Sequence, residues 1–226
     1  MTHCELCDGT TDDRMKSNGW GWCSQCQHGT RDVKYSDVAS DYFTNDYAGH
    51  NGDFTFLKTQ HETNVKLLRN HITGKEVLDV GFLEGAGMAA MSDAGFNLHG
   101  FDVSEAARLK AISNGIHESR LRVAPAFSPN LFERQFNGVT CREVIEHVSN
   151  PDELLRNISR SLMADGVAQI QTPVFDPTIR FWECKQHLRC YSVGSLITIA
   201  ETSGLRFIDS KLWPGGMCLT FQKAVL

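Results

Sequence analysis

The sequence has no run approaching the roughly 20 apolar residues that a membrane-spanning helix needs. Yet 41% of its 226 residues are apolar, enough for a buried core. A basic excess is also missing. Its 22 Lys and Arg face 27 Asp and Glu, for a net charge of −5. No global field therefore favours nucleic acid, although a local basic patch stays open. The first residues, Met1 to Asp13, contain neither the basic nor the apolar stretch of a secretion signal. The expectation is a cytoplasmic protein with no membrane partner, whose eight cysteines stay reduced unless a metal takes them. One more absence narrows the ligand. A dinucleotide site usually needs G-x-G-x-x-G at a helix N-terminus. In the chain's main glycine turn, Gly81, Gly85 and Gly87 are instead four and two apart.

What is present centres on Val77 to Ser104. An apolar run leads into Asp79-Val80-Gly81, a glycine-bearing turn follows, a small-residue helix runs to about Gly95, and a second apolar stretch ends in Asp102. Strand, glycine turn, helix, strand and acid suit a doubly wound α/β sheet that binds a nucleoside at the carboxyl ends of its strands. Glycine lets the backbone approach a ligand without a Cβ in the way. Asp102, 17 residues after Gly85, can accept hydrogen bonds from both ribose hydroxyls. Taken alone, the turn also fits an unrelated α/β fold.

Four cysteines stand in the first 26 residues, as Cys4-x-x-Cys7 and Cys23-x-x-Cys26 with fifteen residues between the pairs. Each knuckle can present two thiolates to one ion, and four sulfurs complete a tetrahedral zinc site. The segment has few large apolar residues, chiefly Leu6, Met15, Trp20 and Trp22, so it depends on metal to fold. Two disulfides are the alternative, and the reducing compartment argues against them. His3 and His28 flank the knuckles and are substitute ligands. Cys141, Cys184, Cys190 and Cys218 are scattered. Arg14 and Lys16, beside Asp12 and Asp13, do not form a basic stripe, which favours a structural or lid role for the ribbon over a nucleic-acid grip.

The remaining chain divides cleanly. Residues 1–34 form the ribbon and 35–72 an aromatic connector with a lid helix, its Tyr35, Tyr42, Phe43 and Tyr47 either covering a ligand or gluing the ribbon down. Leu57, His61, Val65, Leu68 and Ile72 recur at helical spacing. Residues 73–226 hold the main domain. Its expected strands follow at Leu121 to Val123, Phe136 to Cys141 and Val167 to Gln171, and an antiparallel hairpin closes the sheet around Pro214-Gly215-Gly216. Between them, Ser104, Asn150 and Ser192 are helix caps, with Pro151 in the first turn. Leu154, Leu155, Ile158 and Leu162 mark a buried helix face that Gly166 ends. A Rossmann-like, seven-stranded α/β sheet with a small N-terminal zinc ribbon is the predicted architecture.

These residues carry a resemblance. Asp79, Gly81 and Gly85 fill three positions of the D-x-G-x-G-x-G turn of class I S-adenosylmethionine-dependent methyltransferases. Leu83 replaces the middle glycine. FNGVTCREVIEHVSNPDELL, GVAQIQTP and the closing hairpin follow that family's order, with Asn137 where Asp is usual. The whole chain resembles bacterial methyltransferases with an N-terminal zinc ribbon, which often act on sugars, natural products or other small molecules. Related sugar C-methyltransferases carry a further C-terminal domain for which this chain is too short, so their chemistry is not carried over. The resemblance implies an S-adenosylmethionine site. Its methionine half would border Asp79, Gly81, Phe82, Leu83 and Gly85, with Asp102 and Val103 at the ribose. Phe127 would lie near the adenine, and Cys141 and Arg142 at the end of the fourth strand.

Methyl transfer from a sulfonium needs mainly alignment, and a hydroxyl acceptor also needs its proton removed. Glu143, Glu146 and His147 lie at i, i+3 and i+4 and would cluster on a helical turn, where His187 can join them. Four such groups can hold a divalent ion such as magnesium, as a similar E-x-x-E-H pattern does in ubiquinone-pathway and small-RNA O-methyltransferases. Alternatively, His147 acts alone, or the turn is merely structural. The expected function is methylation of a small molecule or sugar, O-linked before N- or C-linked. An RNA methyltransferase docking through the ribbon and a non-catalytic binding module that has lost its cofactor remain as alternatives.

Overall fold

A computed structural model describes residues 3–12, 19–31, 53–126, 128, 132–176, 184 and 186–224. The expectations for Tyr35, Tyr42, Phe43, Tyr47 and Phe127 lie outside these residues.

The core of the molecule is a seven-stranded mixed sheet. Its strands are β3 (Glu76–Val80), β4 (Asn97–Asp102), β5 (Leu121–Val123), β6 (Phe136–Arg142), β7 (Leu162–Pro173), β9 (Leu205–Trp213) and β10 (Gly216–Lys223), in spatial order β5-β4-β3-β6-β7-β10-β9. The pairs β3–β4, β4–β5, β3–β6 and β6–β7 are parallel. The β9–β10 hairpin closes the sheet antiparallel to β7. The order reverses at β3, between β4 and β6, and there the strand ends diverge into a ligand crevice.

Helices cover both faces, as near-continuous apolar strands require. Val65 and Leu68 of α2 (Glu62–Arg69), Met88 and Met91 of α3 (Ala86–Asp93) and Ala111 of α4 (Glu105–Ser113) pack with Val77 and Leu98 on one side. Leu154, Leu155 and Ile158 of α5 (Pro151–Ser161) and Leu196 and Ile199 of α6 (Val193–Thr202) pack with Leu78, Val139 and Ile170 on the other. Ser104, Asn150 and Ser192 each cap the next helix through the side chain.

Two elements differ from the sequence expectation. The helix expected from Phe54 is broken at His61 into α1 (Phe54–Gln60) and α2, and the His61 ring accepts from Arg142. Helix α5 ends at Ser161, not at Gly166. Leu162 is extended at φ −82°, ψ 143°, and pairs with Phe136, so it enters the core from a strand. Asn137 is structural: its Oδ1 accepts from the Glu76 amide at 3.1 Å.

The N-terminal segment forms a second, three-stranded sheet, β1 (Trp20–Cys23), β2 (His28–Arg31) and β8 (Arg189–Tyr191), in that order. The third strand comes from the main domain, between β7 and α6. Leu6 packs against the large core cluster, and Trp22 lies 4.2 Å from Phe175 between ring centroids. The ribbon and the main domain thus share backbone ladders and core. Among the described residues no helix is long and apolar enough to cross a membrane.

Candidate functional site

The carboxyl ends of β3, β4, β6 and β7 open on a cavity of about 590 Å³, a volume typical of small-molecule sites. One wall is the glycine turn after β3. Gly81, Leu83 and Gly85 are all left-handed, at φ +74°, +52° and +83°. A Cβ on Gly81 would stand 2.4 Å from Val144 Cγ2, so only glycine fits. Leu83 has no such excuse, and its conformation costs an L-residue on the order of 1 kcal/mol. The Leu83 amide donates to Asp102 Oδ2 and the Ser104 amide to Asp102 Oδ1, both at 2.9 Å. Asp102 therefore pins the turn, and a carboxylate has about four acceptor sites, so roughly two remain. Burial pushes its carboxyl up, opposed by those two amides. Gly81, Phe82, Leu83, Asp102 and Val103 all line the cavity, as do Ala124 and Ala126 beyond β5.

Asp79, Gly85 and Cys141 do not line it. The Asp79 carboxylate is buried behind the wall, accepting from Thr140 Oγ1 at 2.6 Å and from the Arg142 guanidinium at 3.3 Å on each oxygen. Burial pushes the Asp79 carboxyl up, and Arg142 and Thr140 oppose it. Arg142 does reach the cavity, with a second nitrogen donating to His61 Nδ1 at 2.6 Å. It passes over Gly87, where a Cβ would stand 1.9 Å from a guanidinium nitrogen. Gly85 starts α3. Cys141 is fully buried in the core, and burial raises its thiol.

The second wall is built after β6. The expected helical turn is absent. Glu143 is left-handed at φ +53°. Its amide donates to the Gln171 carbonyl at 2.9 Å, and its carboxylate accepts from Gln171 Nε2 at 3.0 Å. Glu143 is thereby tied to β7, while a tight turn closes with the His147 amide donating to the Val144 carbonyl at 2.9 Å. That turn brings Glu146 and His147 against His187. One ligand atom from each of the three lies within 4.8 Å of the others. The two imidazoles meet edge to face at 4.7 Å. His147 donates from Nδ1 to the Gln186 carbonyl at 3.0 Å, which leaves the lone pair on Nε2. Burial pushes the His147 ring down to about 4, so it is neutral at physiological pH. Glu146 is buried, and neither carboxylate oxygen has a hydrogen bond among the described residues. Burial first, and the charge of Glu143 second, push its carboxyl well up.

The ribbon's four sulfurs, Cys4, Cys7, Cys23 and Cys26, also lie within 4.8 Å of one another. Zinc–sulfur bonds of about 2.3 Å put the edges of a tetrahedron at about 3.8 Å. Cys7 and Cys23 are 3.8 Å apart, so the donor set fits zinc. His3 and His28 are turned elsewhere: His3 lies 3.0 Å from the Asp8 carbonyl and His28 Nε2 2.6 Å from Glu5.

Sequence reasoning missed His61, Gln171, Gln186 and Arg189. The first lies on a helix stripe that reads as core, and the others carry no spacing signal.

A family model described as a methyltransferase domain matches residues 55–210. The chain belongs to this methyltransferase family. It is 32% identical over 108 residues to a ubiquinone biosynthesis O-methyltransferase of Pseudomonas aeruginosa, a match covering 46% of this chain and 47% of that one. A protein of the same description from Idiomarina loihiensis is 29% identical over 141 residues, 59% of this chain and 56% of its own. The chain spans about half the length of these curated relatives. Among solved structures, the Burkholderia thailandensis 1,6-didemethyltoxoflavin-N1-methyltransferase, bound to that compound and S-adenosylhomocysteine, superposes with a TM-score of 0.66 over 90% of this chain and 98% of its own, at 18% identity. A chain from the complex of the Haloferax volcanii Trm112 methyltransferase activator with a methyltransferase gives 0.65 over 77% and 95%, at 13% identity. Both support the fold.

Proposed function

We propose that this chain moves the methyl group of S-adenosylmethionine to a hydroxyl oxygen of a small molecule. The glycine turn, Phe82, Leu83, Asp102 and Val103 would hold the cofactor, with Arg142 as the cation nearest its carboxylate. His147 and its neighbours would face the acceptor. In the step itself the acceptor oxygen bonds to the methyl carbon and the carbon–sulfur bond breaks. S-adenosylhomocysteine leaves, and the hydroxyl proton passes to His147 Nε2.

The observation that carries this reading is the state of His147. Its ring lines the cavity and is oriented by the Gln186 carbonyl, which holds the proton on Nδ1 and leaves the lone pair on Nε2. The curated relatives named as O-methyltransferases favour an oxygen acceptor. The four ribbon cysteines would bind one structural zinc in a unit spanning residues 1–34.

A second arrangement of the same site rests on Glu146. A buried carboxylate with no hydrogen-bond partner among the described residues is costly, and a cation held by Glu146, His147 and His187 would relieve it. Two imidazoles and one carboxylate favour manganese or zinc over magnesium. When bound, such an ion would acidify a coordinated hydroxyl.

The test is an acceptor screen with labelled cofactor, followed by His147→Ala. If His147 is the sole base, turnover falls by roughly 10²–10⁴-fold and chelators do nothing. The acid limb of the pH profile then lies near 4, well below the ordinary histidine value of about 6.5. If an ion takes part, chelation that leaves the ribbon zinc in place abolishes turnover and manganese restores it. Near-normal turnover in both His147→Ala and Glu146→Ala would overturn both arrangements. Calorimetry with S-adenosylmethionine excludes the non-catalytic alternative if heat of binding appears. Salt-sensitive binding of RNA would revive the docking alternative.

A further inference from the structure

We propose that Glu5, inside the first cysteine knuckle, and Arg189, on β8, are positioning residues for the acceptor wall: the metal-bound ribbon holds His147 and His187 in place through them. The inference rests on the assignment of His147 to the acceptor side.

The connection can be followed atom by atom. Arg189 has a side chain only 10% exposed. Its Nε and one terminal nitrogen donate to the two oxygens of Glu5, each at 2.7 Å. This is the parallel fork that makes an arginine–carboxylate pair strong and directional. The same guanidinium also donates to the carbonyls of Val148 and Ser149, the second at 2.9 Å. Those carbonyls belong to the two residues after His147. The backbone of Arg189 and of its neighbour Leu188 donates to the Glu146 carbonyl, at 3.2 and 2.7 Å. One arginine therefore grips the His147 turn from both sides, and Glu5 holds that arginine.

Glu5 is fixed in turn. It stands between Cys4 and Cys7, and its Oε1 also lies 2.6 Å from Nε2 of the buried His28 on β2. The ribbon has a second hold on the site. Strand β2 pairs with β8 through Gly29–Cys190 and Thr30–Arg189, and Arg31 donates to the carbonyls of Cys184 and His187 at 3.2 and 3.4 Å. The segment so held contains Gln186, whose carbonyl orients the His147 ring. The glycine turn on the opposite wall is held by Asp102, by the Phe101 carbonyl and, at Glu84, by Asn114. The knuckle is thus wired to one half of the cavity.

The experiment compares wild type, Glu5→Gln and Glu5→Ala, all confirmed to carry their zinc. Three signals are read: amide exchange at Leu188 and Arg189, the Nδ1–H resonance of His147 in histidine-labelled protein, and calorimetric affinity for S-adenosylmethionine. In Glu5→Ala, exchange at the two amides should rise at least about tenfold and the His147 resonance should broaden, while cofactor affinity stays within about twofold. Glu5→Gln keeps one oxygen for the guanidinium and should recover part of the protection. That grading separates positioning from bulk destabilisation. The proposal fails if Glu5→Ala leaves both signals unchanged, or if exchange rises equally along β3 and β4. None of these signals needs an acceptor. A loosened wall together with normal turnover in His147→Ala would keep the positioning and remove the catalytic assignment.

Discussion

The two walls of the cavity are built in opposite ways. The glycine turn is local: Gly81, Leu83 and Gly85 set its path within five residues, and Asp102 pins it from the adjacent strand. The wall that carries His147 is assembled from distant chain. Residues 146–149 are held by Arg189, Arg189 by Glu5, and the segment before β8 by β2. The contrast follows the chemistry. On the proposed assignment, the cofactor side is a fixed local turn and the acceptor side is held by what is appended to the fold. Failures should therefore separate: damage at the turn should cost cofactor affinity, and damage at the ribbon should cost the acceptor side.

The largest effect should come from the metal. Structural zinc in such small domains is worth about 10 kcal/mol or more. Native and denaturing mass spectrometry should differ by one zinc. Stripping it should expose Trp20 and Trp22, now 2% and 8% exposed, and redshift their fluorescence. The sheet should stay folded. A protein without zinc, or one whose tryptophan emission ignores chelation, would leave the two walls with no such difference in dependence.

Next comes the support behind the cofactor wall. Asp79→Ala leaves the Arg142 guanidinium, 10% exposed, without its carboxylate. Breaking a buried pair from one side costs about 3–5 kcal/mol. Asp79→Asn keeps the Thr140 hydrogen bond and should cost less. The measurement is a denaturant midpoint for each. By contrast, the surface pair of His71 and Asp209, 2.9 Å apart but with Asp209 45% exposed, should contribute under about 1 kcal/mol. Equal losses at both sites would mean that water reaches Asp79.

The strands, the closing hairpin, the caps and the paired cysteines were legible because each rests on short-range spacing: apolar runs, Ser, Asn and Pro at helix starts, paired C-x-x-C. Asp102 and Gly81, which line the cavity, were singled out by the same kind of spacing. Helical spacing misread the Glu143 turn, since nothing in Arg142-Glu143-Val144 announces a left-handed glutamate; that conformation comes from the Gln171 contacts. Leu162 was assigned to a helix face because an apolar residue at i+4 looks the same whether it continues the helix or begins a strand. Glu5 and Arg189 stand 184 residues apart, and no pattern in one sequence joins them. Asp79 was named by the motif, and the structure adds what no motif shows: its carboxylate accepts from Thr140 and Arg142.

A smaller effect is expected at Asp102. Losing charge-assisted hydrogen bonds to a ribose should weaken S-adenosylmethionine by about 1.5–3 kcal/mol in Asp102→Ala, read by calorimetry. Because the Leu83 and Ser104 amides also lose their acceptor, the melting temperature should fall too. Affinity that stays at the wild-type value would remove the cofactor from this wall.

The smallest effect is the sharpest probe of the turn. Leu83 sits at φ +52°, in the left-handed region. In an ordinary helix alanine is more stable than glycine by about 1 kcal/mol. At a left-handed position the order inverts, because the Cβ crowds the following carbonyl and costs on the order of 1–2 kcal/mol. Both Leu83→Ala and Leu83→Gly remove the same apolar side chain from the cavity edge, so their difference isolates the backbone. Glycine also carries a larger entropy loss on folding, about 0.5–1 kcal/mol, which offsets part of the relief. Leu83→Gly should therefore be the more stable of the two by about 0.5–1 kcal/mol in denaturant unfolding. It should also bind cofactor at least as well as wild type, since the amide that donates to Asp102 is kept. An alanine variant equal to or above the glycine variant would mean that the turn holds Leu83 in some other conformation, and the local account of this wall would fall with it.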